Sequence, residues 1–104
     1  MTRRIVQTTA FLLILTGAAH AAPSAREICQ KMIADGRAGG MDQAKCECTY
    51  RVADAILDDD VKTLLFEAWY TGKDNMQAVA QLPGQSRIRK QFKTMERSLE
   101  PNCG

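Results

Sequence analysis

Residues 42–57, DQAKCECTYRVADAIL, decide the architecture of this chain. The stretch reads as one amphipathic helix with Asp42 at its N-cap. Ala44, Cys48, Val52, Ala55 and Ile56 recur every three or four residues and are expected to face the core. Cys46, Tyr50, Ala53 and Leu57 make a second, less continuous stripe. Successive helical residues turn by about 100°, so Cys46 and Cys48 point about 200° apart and cannot easily face one neighbour. The helix is therefore expected to be packed on two sides. One cysteine ties it to the segment carrying Cys29, the other to the segment carrying Cys103.

The flanking sequence says where such a fold is made. Arg3 and Arg4 precede a short apolar run, Phe11 to Leu15, which is too short to span a membrane as a mature helix. Ala19-His20-Ala21 places small residues as an export-signal peptidase requires, and cleavage after Ala21 avoids Pro23 at the first mature position. Residues 1–21 thus read as a cleaved signal peptide and 22–104 as one domain, periplasmic or secreted, with no stable membrane insertion once the signal is gone. Cleavage removes Arg3 and Arg4 from the fourteen basic residues and none of the twelve acidic ones, so the mature chain is neutral. Neutrality argues against nucleic acid or an anionic membrane as a global partner. The single histidine, His20, leaves as well. That excludes a histidine-activated nucleophile, a histidine general base and covalent c-type haem.

A domain this small has a thin core, and small exported domains commonly compensate with disulfides. The expected fold is all-α: four or five short helices stapled by two disulfides. Ser24 and Glu27 form a capping box for a first helix over about 25–35, buried along Ile28, Cys29, Met32 and Ile33. Gly36 can end it in a left-handed cap, and 36–40 reads as a flexible linker carrying Arg37. Asp58-Asp59-Asp60 lacks the alternating spacing of a calcium loop and reads as the N-terminal cap of a third helix over about 61–71. That helix carries Val61, Leu64, Leu65, Ala68 and Trp69 on one face, with Phe66 and Tyr70 on its flank. Asp74 or Asn75 caps a short fourth helix, and Pro83-Gly84 punctuates before a fifth that starts at Ser86 and stops at Pro101. Its apolar face is Ile88, Phe92, Met95 and Leu99. Its other face holds Arg87, Arg89, Lys90, Lys93 and Arg97.

If the loop makes the first two helices an antiparallel pair, Cys29, six residues before Asp35, falls opposite Cys48, six after Asp42. The preferred pairing is then Cys29–Cys48 with Cys46–Cys103, and Cys29–Cys46 with Cys48–Cys103 is the near alternative. A strained Cys46–Cys48 bond would make a thiol-exchange site. Glu47 between the thiols opposes it, and no Cys-x-x-Cys is present.

No metal site, cofactor or catalytic constellation is legible. The functional expectation is a non-enzymatic protein that binds another envelope or secreted protein, as an inhibitor, immunity protein, chaperone or accessory subunit does. Its candidate contacts are Phe66 with Tyr70, or the basic face of Arg87, Arg89, Lys90, Lys93 and Arg97. The alternatives are a carrier of a small apolar ligand, with a pocket near Trp69, and thiol–disulfide exchange at Cys46 and Cys48.

Overall fold

The computed structural model describes residues 22–104, so the expected signal segment lies outside the described residues. Among them are five helices and no strand: α1 (Ala25–Ala34), α2 (Gln43–Ile56), α3 (Asp59–Thr71), α4 (Met76–Ala80) and α5 (Gln85–Cys103). The expected all-α bundle with two disulfides is what the chain forms. The Ser24–Glu27 capping box is present in both directions: Ser24 Oγ accepts from Glu27 N at 3.1 Å, and Ser24 N donates to Glu27 Oε1 at 2.9 Å.

The arrangement corrects the antiparallel reading of α1 and α2. Gln43 Nε2 reaches Arg26 O, and Cys46 is bonded to Cys29, a separation of 17 residues in both cases. The contact therefore advances in the same chain direction along both helices. The connection makes this possible because it is folded rather than slack. Arg37 N donates to Met32 O, Met41 N to Ala38 O, and Ala38 is buried. Arg37 crosses to α3, where its Nη1 donates to Trp69 O at 2.8 Å, while its Nη2 donates to Asp35, the C-cap of α1, at 2.9 Å. The 36–40 segment is thus a clamp on the C-terminus of α3, where the helix dipole and the unpaired carbonyls favour a cation. Gly72, at φ 81°, ends α3 there in the left-handed conformation that favours glycine, and the Arg37 side chain lies 3.4 Å from where a Cβ would stand, at ordinary contact distance.

This geometry also reverses the expected pairing of cysteines. The bonds are Cys29–Cys46 and Cys48–Cys103, with Cα–Cα distances of 5.8 and 5.7 Å. The ranking of the two α2 stripes reverses with it. Cys46, Ala53 and Leu57 are buried, whereas Ala44 and Ala55 are exposed and Cys48, Val52 and Ile56 are half-buried. The more continuous stripe faces α5, which lies along α2 in the opposite sense: Cys48 meets Cys103, and Ile56 shares a groove with Ser86 and Lys90.

The core consists of two clusters. Ile28, Cys29, Met32, Ala38 and Cys46 form one, around α1. Ala53, Leu57, Val61, Leu65, Val79 and Ile88 form the other, around the start of α3 and α5. Phe66 and Trp69 pack against both, so α3 is the element that joins them. Trp69 is only half-buried and acts as a bridge rather than as the centre of the core.

The acidic run does more than cap. Asp58 occupies the N-cap position of α3 without a capping bond from its side chain. Its carboxylate accepts from Arg87 Nη1 at 2.7 Å and Gln91 Nε2 at 2.8 Å, and Asp60 accepts from Arg87 Nη2 at 2.8 Å. The run therefore ties the beginnings of α3 and α5 together. Asn75 likewise spends its amide on Leu64 O and Glu67, while Asp74 Oδ1 accepts from Met76 N. Pro101 does not stop α5, which continues to Cys103. A proline in the last turn removes one donor but leaves later ones: Gly104 N still reaches Glu100 O at 2.9 Å. No helix among the described residues is long and apolar enough to cross a membrane.

Candidate functional site

Pairing Cys46 with Cys29 turns Tyr50, one helical turn on, toward α3. There its ring stacks on Phe66, with centroids 4.2 Å apart and 19° between the planes. Phe66 in turn meets Trp69 at 5.4 Å. Tyr70 lies one turn beyond Phe66 on the same side of α3. Tyr50, Phe66 and Tyr70, together with Ile28 of α1, wall a groove of about 420 Å³, and Ala22 and Pro23 close one part of it.

The groove is apolar inside and its rim charges are largely paired. Lys62 Nζ meets Asp54 Oδ1 at 2.9 Å and the Asp54 carbonyl at 3.1 Å. That hydrogen bond holds the Lys62 ammonium above its ordinary range, against the opposing effect of desolvation. On the other side Glu67 is 3.9 Å from Lys73. Tyr50 is pushed above the usual phenol range, first by burial and then by the Asp54 charge, with Lys62 opposing. It stays a neutral phenol at physiological pH. Such a site can take an apolar group and orient it by its polar edge. Asp54, one of two carboxylates lining the groove, is engaged by Lys62.

The structure sorts the other candidates named from sequence. Phe66 and Tyr70 share the groove. Arg87 is engaged by Asp58, Asp60 and the Pro83 carbonyl, so its guanidinium serves the fold. Arg89, Lys90, Lys93 and Arg97 are exposed and form no ion pair with the described residues, on a face of α5 remote in sequence from the groove. Cys46 and Cys48 belong to different disulfides, which removes the exchange site that needed them bonded to each other. No cluster of three or more metal-ligating side chains stands among the described residues.

Tyr50 is the wall residue that sequence reasoning did not assign to a site. It lies on the lesser stripe of α2, and the signal that points to it is its four-residue spacing from Cys46. The pocket that Trp69 lines, with Met32, Met41, Cys46 and Thr49, is small, about 90 Å³, and Trp69 stands behind the wall of the larger groove through Phe66. No protein-family model, curated protein or solved structure matches the chain.

Proposed function

We propose that this is an exported, non-enzymatic binding protein that holds an apolar side chain of an envelope or secreted partner protein in the Tyr50–Phe66–Tyr70 groove. The observation that carries the reading is an aromatic-walled apolar cleft of about 420 Å³ ringed by mutually neutralised charges. Aromatic anchors inside a polar rim that excludes water are the anatomy of an interface hot spot. Two disulfides suit an oxidising compartment, and the leader over 1–21, cleaved after Ala21, would deliver the chain to the periplasm or beyond. Asp54 and Lys62 neutralise each other, which favours binding over acid–base chemistry at the groove.

A second reading, a carrier of a small apolar ligand, draws on the same groove, since ligand pockets run from roughly 300 to 1,000 Å³. One experiment separates the two. Benzoylphenylalanine is placed at Thr63, an exposed lining residue, and separately at Gln30 on the exposed side of α1. Irradiation is carried out in the cells that produce the protein. Partner binding predicts a discrete protein adduct from Thr63 alone, weakened by Tyr70→Ala. Lipid adducts at Thr63, with a laurate-dependent change in Trp69 emission, would favour the carrier. Identical products from both positions would overturn both readings.

A further inference from the structure

The two disulfides lie in unlike surroundings. Cys29 and Cys46 are 0% and 2% exposed and lie within the cluster of Ile28, Met32 and Ala38. Cys48 and Cys103 are half-buried, and each borders an open surface groove of its own. Cys48 lies beside Arg51 and Ser98, Cys103 beside Lys45 and Thr49.

The structure around the second bond is also loosely held. The first half of α5 is fixed by buried Ile88 and by the Arg87 clamp on Asp58 and Asp60. Residues 98–104 contain no fully buried side chain and join no ion pair among the described residues. Pro101 contributes no N–H to that turn. The Asn102 side chain and the Gly104 amide bond only to Ser98 O and Glu100 O of the same helix. Opening this bond costs local structure, whereas reaching Cys29–Cys46 requires taking apart the α1 cluster.

We infer that Cys48–Cys103 is a thiol-exchange site, open to a dithiol reductant or a dithiol oxidoreductase while the domain stays folded, and that Cys29–Cys46 is a permanent staple. The step is ordinary exchange. One thiolate of the dithiol bonds to Cys103 Sγ, the Cys48–Cys103 bond breaks, and its electron pair leaves on Cys48 Sγ. The second thiolate attacks the reductant's sulfur in the mixed disulfide, closes the reductant's own disulfide and releases Cys103. Each released thiolate takes up the proton its attacker gave up. The protein gains two electrons and two protons, and the dithiol loses both. The product is a chain whose last turn of α5 is released from α2.

The test is timed alkylation of the native protein under dithiothreitol, with each cysteine quantified by mass spectrometry of its peptide. The expected result is modification of Cys48 and Cys103 roughly tenfold or more faster than of Cys29 and Cys46, since exchange rate follows access. Helical circular dichroism should hardly change during the fast phase. The fast phase should also be insensitive to low urea, because a local opening exposes little surface. Four cysteines reacting in a single phase would overturn the assignment, as would Cys29 and Cys46 reacting first. So would a fast phase that accelerates with urea as steeply as global unfolding does.

Discussion

Two arginines show what single side chains contribute and how far their roles can be read in advance. Arg37 closes the C-terminus of α3 through Trp69 O at 2.8 Å and Tyr70 O at 3.4 Å. Arg37→Ala should cost about 1–2 kcal/mol in urea unfolding, since charged hydrogen bonds to helix-end carbonyls are lost. Lysine should restore little of this, because its single ammonium cannot span two carbonyls and a carboxylate as a planar fork does. Arg87 holds Asp60 below the ordinary carboxylate range, chiefly by its hydrogen bond. A carboxylate with a lowered folded pKa stabilises the fold above its unfolded pKa and loses that contribution as pH falls through the lowered value. Arg87→Ala should therefore lower the melting temperature at neutral pH, and the gap from the parent protein should narrow at an acid pH below the ordinary carboxylate range. Equal gaps at both pH values would contradict the assignment. Neither role was legible beforehand. The carbonyls that Arg37 meets lie 32 and 33 residues away, and Arg87 looked like one of five equivalent cations on a solvated face. Local spacing fixes neighbours within a helix, not partners across the fold.

At the scale of elements, the helices themselves were readable and their rotation was not. Caps, glycines and periodicity placed all five to within two or three residues, apart from the extension of α5 through Pro101 to Cys103. The failure lay in deciding which stripe of α2 is buried. The longer apolar stripe reads as the buried one, yet it is Ala53 of the shorter stripe that is 0% exposed, in one buried cluster with Leu57, Val61, Leu65 and Ile88. Ala53→Leu should overpack this cluster and destabilise by about 1–3 kcal/mol. Ala55→Leu, on the exposed side, should change stability by no more than about 0.5 kcal/mol. A reversal of these two effects, measured by thermal melts, would show that the longer stripe is the core-facing one after all. The same rotation hid the groove, since Tyr50 joins Phe66 and Tyr70 only when the Cys46 side of α2 faces α1 and α3.

For the molecule as a whole, the two covalent links carry much of the stability that a thin core lacks. In the loop-entropy account, closures separated by 17 and 55 residues contribute about 3 and about 4 kcal/mol. A small domain has only about 5–15 kcal/mol in all, so reduction of both bonds should abolish the cooperative melt. The groove and the exchange site both rest on which cysteine meets which. The direct measurement is a non-reducing peptide map with cleavage after Glu47, which separates Cys46 from Cys48. The account predicts linked peptides joining Cys29 to Cys46 and Cys48 to Cys103. A Cys29–Cys48 peptide would turn α2 by about 200° and carry Tyr50 out of the groove, contradicting the fold and the site together.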